Sequence, residues 1–184
     1  ATFFAVAGAL EAAADGLSLR VVIYDCGLDL WAATALAALS KADPAISIRT
    51  APNGDKAAAW NDYVHRAAGS AFAHIFIEGA AAPAPGSFRA LVDALADNPS
   101  AFGATALSAS GASRRSWARK TLLYHGLNRQ LYATSSAFVA RVREREIRLP
   151  YGASGLDGIV AYLMLTDLKG GTRDDRTDRI VVAD

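Results

Sequence analysis

Leu19-Arg20-Val21-Val22-Ile23-Tyr24 is followed by the turn Asp25-Cys26-Gly27 and then by Trp31 to Leu39, where apolar residues recur at three- and four-residue spacing. A short β-rich run, a turn and an amphipathic helix make one βα unit. The pattern repeats outward from it. Ile46 to Thr50, Phe72 to Ile77 and Phe102 to Leu107 read as further strands, with Lys56 to Ala68 and Phe88 to Ala96 as the helices between them. Toward the N-terminus, Ala1 to Leu10 is apolar but far too short to span a bilayer, and it lacks the basic start of a secretory signal. Thr2 to Ala7 is therefore read as a first strand, in a chain that opens on Ala1 rather than Met, as a processed or trimmed chain does. The alternation predicts one α/β domain with a mostly parallel central sheet flanked by helices. The strands ending at Tyr24 and Ile77 are expected to be neighbours, or nearly so, in that sheet.

Composition narrows the function classes. With 184 residues, 52% hydrophobic and 20% charged, the chain has the makings of a packed core, so residues 1–184 are read as a single domain and intrinsic disorder is excluded. A single cysteine, Cys26, excludes an internal disulfide and a Cys-rich zinc site, and His65, His74 and His125 offer no HExxH spacing. A reducing, cytoplasmic location is the expectation, including the inner face of a membrane. No GxGxxG follows a strand, and neither a GxxxxGK[ST] loop nor a GxSxG elbow occurs, so dinucleotide redox chemistry, P-loop hydrolysis and α/β-hydrolase chemistry are disfavoured.

The net charge of +1 hides an asymmetry: residues 1–113 carry 6 basic and 10 acidic groups, 114–148 carry 9 and 2, and 149–184 carry 4 and 6. In the basic stretch, Trp117, Leu122, Tyr124, Leu127, Leu131 and Tyr132 lie among Arg114, Arg115, Arg119, Lys120 and Arg129. This reads as a helix with an apolar stripe and a basic border, docked on the core, with a membrane-surface helix as the alternative. A solvated basic helix is the commoner source of such a charge run, and the functional reading is an anionic acceptor or surface. No nucleic-acid partner and no membrane span are expected, while peripheral membrane contact stays open.

Three acids fall where an open α/β sheet gathers its ligands, at the carboxyl ends of strands. Asp25 follows Val-Val-Ile-Tyr, Glu78 follows Ile-Phe-Ile, and Asp157 sits in the Gly-rich turn Gly155-Leu156-Asp157-Gly158 before a helix. Taken singly, each is as readily a turn or helix-capping residue. His74 alternates within an apolar strand and is read as a core histidine.

Together these residues resemble the family 2 glycosyltransferases with a GT-A, Rossmann-like fold. Val21-Val22-Ile23-Tyr24-Asp25-Cys26-Gly27 is similar to that family's second strand and nucleotide-binding turn. Pro52-Asn53-Gly54-Asp55-Lys56-Ala57-Ala58-Ala59-Trp60-Asn61 resembles its "N-x-G-K-x-x-A-x-N" helix, and Ile75-Phe76-Ile77-Glu78-Gly79-Ala80 with Pro83-Ala84-Pro85-Gly86 resembles its DxD strand end and P-x-P-G tail. Ala137-Phe138-Val139-Ala140-Arg141, Arg148-Leu149-Pro150 and Leu156-Asp157-Gly158 look like its "A-x-R … L-P … E-D" region.

The resemblance implies an inverting transfer of a sugar from a nucleotide-diphospho-sugar to an acceptor hydroxyl, with Asp157 as general base. It implies that Asp25, Asn53, Lys56 and Glu78 bind nucleotide and sugar, and that Glu78 holds a divalent cation, Mg²⁺ or Mn²⁺. That hold is weak, because Ala80 stands where the family has its second acid. Two further departures are Cys26 in place of an acid and Asp157 without its usual acidic neighbour. These gaps support an alternative, a non-catalytic module that binds nucleotide or a partner. A nucleotidyltransferase-like enzyme is the more distant reading, opposed by Ala7-Gly8-Ala9 where a Gly/Arg-rich loop would stand.

Overall fold

A computed structural model describes residues 10–108, 112–171 and 176–183, so the strand expected over Thr2 to Ala7 lies outside the described residues. Strand β1 (Val21–Asp25) leads through helix α1 (Leu30–Ala42) to β2 (Ile46–Thr50), and the strands pair in parallel, Val21 opposite Ile46 and Asp25 opposite Thr50. Helix α1 starts where the Asp29 carboxylate accepts the Ala32 N–H at 2.8 Å, satisfying an otherwise orphaned donor. Helix α2 (Lys56–Asp62) starts the same way, with Asp55 Oδ1 accepting the Ala58 N–H at 2.9 Å.

Beyond Asp62 the helix predicted to run to Ala68 widens into a π-helical turn over Tyr63–Ala67. The Arg143 guanidinium fills the gap this leaves, donating to the carbonyls of Val64 and Ala68. Asp62 joins α2 to the two-stranded sheet: it accepts from the Tyr24 hydroxyl at 2.7 Å and from Arg49 Nε at 2.6 Å. Burial works against ionisation of Asp62, but Arg49 and Tyr24 outweigh it and hold the carboxyl below its usual range.

The remaining elements are β3 (Ala73–Ile77), α3 (Ser87–Asp97), β4 (Gly103–Ala106), α4 (Arg114–Tyr124), β5 (Leu131–Ser135), α5 (Ser136–Glu144), α6 (Leu156–Leu165) and β6 (Ile180–Ala183). Their strands form a second sheet in the order β3-β5-β4-β6. Strand β5 is antiparallel to both neighbours, and β6 is parallel to β4, so three of the four strands run the same way. The expected α/β class therefore holds, but among the described residues the strands fall in two sheets rather than one central sheet, and the four-stranded one is mixed. Among the described residues β1 and β3 belong to different sheets rather than being neighbours in one.

Strand β5 corrects the reading of the basic segment. Helix α4 ends at His125, which caps it in a left-handed conformation (φ 49°), and Leu131 and Tyr132 belong to the sheet rather than to a helical stripe. Side chains alternate across β5. Tyr132 faces a core with Trp60, Val64, Phe138, Val142, Val160 and Met164, whereas Leu131 and Ala133 face a second core with Phe88, Leu91 and Leu95 of α3. Helix α4, expected to dock on the core, has no buried residue. At β4, a Cβ on Gly103 would lie 2.7 Å from Met164 Sδ, so any larger residue there would make the buried Met164 side chain of α6 shift.

His74 is buried as expected, with Nδ1 2.9 Å from the Tyr63 hydroxyl and Nε2 3.4 Å from Ser136 Oγ. Burial, and then the nearby Arg143 charge, lower its pKa. Between that lowered value and about 6.5 the unfolded chain carries a proton that folded His74 refuses. Stability should thus be flat with respect to this group above pH 6.5 and fall below it, by up to about 1.4 kcal/mol per pH unit. His74→Gln should remove that slope, as read by urea unfolding of both proteins between pH 7 and 5.

Candidate functional site

The site is built at the carboxyl ends of β1, β2 and β3. Asp25 Oδ1 accepts the N–H groups of Gly27 (2.8 Å) and Leu28 (2.7 Å), closing a tight turn. These backbone donors, Leu28 first, hold the Asp25 carboxyl below its usual range. The Asp25 carbonyl accepts the Ala51 N–H at 2.9 Å, which sets the second turn against the first. In that second turn Asn53 is exposed and left-handed (φ 54°), and half-buried Gly54 is left-handed too (φ 65°). A Cβ on Gly54 would meet the Cys26 carbonyl oxygen at 2.7 Å, so the two turns are in backbone contact.

Helix α2 carries this pair of turns to the rest of the site. Lys56 Nζ donates to Glu78 Oε1 at 2.9 Å, and Arg129 Nε lies 3.7 Å from Glu78 Oε2. The Glu78 backbone N–H donates to the Gln130 carbonyl at 3.1 Å, so the β3 end and the approach to β5 hold each other. Asp55, already capping α2, also accepts the Gly152 N–H through Oδ2 at 2.5 Å. Backbone donors, that of Ala58 first and then that of Gly152, keep the Asp55 carboxyl below its usual range. One turn and a half further, buried Asn61 forms a two-way amide bridge, with Nδ2 donating to the Leu149 carbonyl and Oδ1 accepting the Leu149 N–H, both at 2.8 Å.

The Leu149–Gly152 segment leads to Asp157. The cap of α6 is Gly155 (φ 69°), so Asp157 lies inside the first helical turn and is not the capping residue. It is half-buried, and its charge acts on Tyr132. Burial first, and Asp157 as well, push the Tyr132 hydroxyl well above the usual phenol range, while Trp60 opposes them. Phe76 stacks on Tyr132 (5.0 Å between centroids) and on Trp60 (6.4 Å), joining β3, β5 and α2 through one aromatic cluster.

The five residues read from the sequence are thus linked through α2 and its neighbours: Asp25 and Asn53 by the stacked turns, Lys56 and Glu78 directly, and Asp157 through the segment that Asp55 and Asn61 hold. Asp55, Arg129, Tyr132 and Trp60 were not singled out from the sequence as site residues. Asp55 could have been, since an Asp ahead of Lys56 and an apolar helix face is a capping signal. Arg129 was hidden in the basic stretch.

The donor set at Glu78 does not suit a cation held by protein ligands alone. Mg²⁺ and Ca²⁺ seek six or more oxygens, whereas this carboxylate is paired with two cations, and no group of three or more His, Cys, Asp or Glu able to hold a metal occurs among the described residues.

No protein-family model, curated protein or solved structure matches the chain.

The geometry has a chemical consequence of its own. Lys56 and Arg129 are both about two-thirds exposed and share one carboxylate, so an anion arriving at the strand ends meets two cations that can turn from Glu78 toward it.

Removing the Asn61 amide leaves both backbone groups of buried Leu149 unpaired. Asn61→Ala should cost about 2–4 kcal/mol in urea unfolding.

Proposed function

We infer that the chain is a nucleotide-diphospho-sugar transferase of the GT-A kind, acting with inversion on an acceptor hydroxyl. The observation that supports this best is the convergence on α2 of three separate stretches: the Asp25 turn, the Glu78 strand end and the Gly152–Asp157 segment. Open α/β sheets bind their ligands at such strand ends.

In this reading the Asp25 turn and Asn53 receive the nucleoside and Lys56 and Arg129 take the diphosphate. The acceptor oxygen attacks the anomeric carbon from the side opposite the leaving group. Its proton passes to Asp157 as the new C–O bond forms, while the bond from the anomeric carbon to the phosphate oxygen breaks and the electron pair leaves with the nucleoside diphosphate. The negative charge growing on that diphosphate is met by Lys56 and Arg129, released from Glu78 by the competing phosphate oxygens. The lone cysteine, an exposed free thiol beside the site, suits a reducing compartment, and the reading places the reaction in the cytoplasm.

A second reading, a binding module without turnover, draws on one observation: Glu78 is neutralised by two cations, and Ala80 supplies no second acid.

Two measurements separate these. Asp157→Asn should lower transfer or donor hydrolysis by roughly two to four orders of magnitude while leaving UDP or GDP binding unchanged. Lys56→Ala should weaken nucleoside diphosphate binding about tenfold or more by calorimetry. Binding that depends on Lys56, with no turnover across a donor panel given Mg²⁺ or Mn²⁺, would establish the binding module. No nucleotide binding at all would overturn the transferase reading and leave only a module that binds a partner.

A further inference from the structure

The family resemblance gives Glu78 a divalent cation to hold, yet the side chains around it suit an anion. Glu78 ends β3 in a turn closed by its own carbonyl, which accepts the Ala81 N–H at 2.8 Å. The exposed corner of that turn is Gly79-Ala80, which has no side-chain oxygen to offer. The carboxylate itself has one cation on each oxygen, Lys56 Nζ at 2.9 Å from Oε1 and Arg129 Nε at 3.7 Å from Oε2. Beside Arg129, the Asn128 amide oxygen already accepts the Gln130 N–H at 3.0 Å. A divalent ion bound to Glu78 would have to displace both cations or stand beside both, and like charges so close repel.

Both cations have fixed feet and exposed tips. Lys56 follows Asp55, whose carboxylate accepts the N–H groups of Ala58 and Gly152. Burial raises the Cys26 thiol pKa and the Lys56 charge opposes it, so this ammonium is felt at the Asp25 turn as well as at the β3 end. Arg129 stands between two held residues. On one side the Asn128 N–H donates to Thr105 Oγ1 (2.7 Å) and its side chain donates to the Ala106 carbonyl (2.9 Å). On the other, the Gln130 carbonyl accepts the Glu78 N–H (3.1 Å). A diphosphate bridge carries negative charge on each phosphate, and this pair supplies one cation for each. Arg129 adds a planar fork of donors and Lys56 a compact point charge. Neutralising adjacent phosphates in this way is what a divalent ion does in other phosphate sites.

We propose that the strand-end site binds diphosphates without a divalent cation, with Lys56 and Arg129 in the ion's place and Glu78 as the counterion that the ligand displaces. This rests on the transferase reading for its class of ligand and specifies the form taken, the metal-free diphosphate. Its consequences are opposite in sign to those of a metal site. Where a carboxylate holds a metal, Mn²⁺ strengthens nucleotide binding and loss of the carboxylate weakens it. Here Mg²⁺ or Mn²⁺ chelates the phosphate oxygens and cancels the charge that the two cations recognise. Removing the Glu78 charge frees those cations for the ligand, while glutamine in its place keeps an oxygen able to accept from Lys56 and so keeps the side chains gathered.

The test is calorimetric titration of the full chain with inorganic pyrophosphate, UDP and GDP, first in EDTA and then in saturating Mg²⁺ or Mn²⁺. All three ligands should bind in EDTA, and either metal should weaken binding about threefold or more. Glu78→Gln should bind the metal-free ligands roughly three- to tenfold more tightly, and Arg129→Ala about tenfold more weakly. Thermal melts of both variants should match wild type, since ion pairs with such exposed cations contribute little to stability. Affinity that rises with Mn²⁺, or Glu78→Gln binding no tighter than wild type, would overturn the proposal and leave the transferase reading standing. Metal-free binding through Lys56 and Arg129 with no nucleotide-sugar turned over would do the reverse. Failure of all three ligands to bind under any condition would overturn the proposal as well.

Discussion

The arrangement of this protein depends on how helix α2 is held, and the tightest of its holds is the buried amide bridge between Asn61 and Leu149. A side-chain amide that both donates to and accepts from one backbone residue fixes position and orientation together, and in a dry interior the cost of losing it is high. The neighbouring Asp62 reaches the other way, to Tyr24 and Arg49 of the two-stranded sheet. Successive residues thus tie one helix to two distant parts of the chain. At the other end of the helix Asp55 and Lys56 repeat the device with Gly152 and Glu78. Two pairs of adjacent polar residues, at the two ends of one short helix, set the spacing between the stacked turns, the β3 end and the Asp157 segment.

Glu78 has a role that its position alone does not suggest. Standing beside Lys56 and Arg129, it works as an internal counterion that keeps two cations gathered at a strand end where they would otherwise repel. Both cations are largely exposed, so the pairs contribute little to stability. In the transferase reading their value is pre-positioning, since charges already collected need little rearrangement when an anion arrives.

Much of this was legible in the sequence where local pattern and tertiary role agree. The sequence reading of Ile46 to Thr50 as a strand has the limits of β2, and Lys56 and Glu78, each singled out from the sequence on its own, are in contact at 2.9 Å. Strand β5 was not legible. Its residues Leu-Tyr-Ala-Thr-Ser are buried on both faces, so they show no alternation of apolar and polar, and Tyr124, Leu127 and Leu131 fall at helical spacing. What makes the segment a strand is the pair of open edges waiting on β3 and β4, which only the whole fold supplies. The same reason hid Arg129, since its importance comes from where β5 lies.

The placement of β5 also imposes an order of assembly. Strands β3 and β4 are both complete by residue 106, yet neither pairs with the other; both pair with Leu131–Ser135, and β4 pairs in addition with Ile180–Ala183 later still. As the chain leaves the ribosome, at about 5–20 residues per second, two strand edges therefore wait unpaired while the α4 excursion is made. Such edges are templates for association with other chains, and joining segments far apart in sequence slows folding. Fragments that stop before Leu131 keep both edges open. The nascent protein is most exposed to misassembly just before residues 131 to 135 emerge and join the two strands, and the outer edge of β4 stays open until Ile180–Ala183 follows.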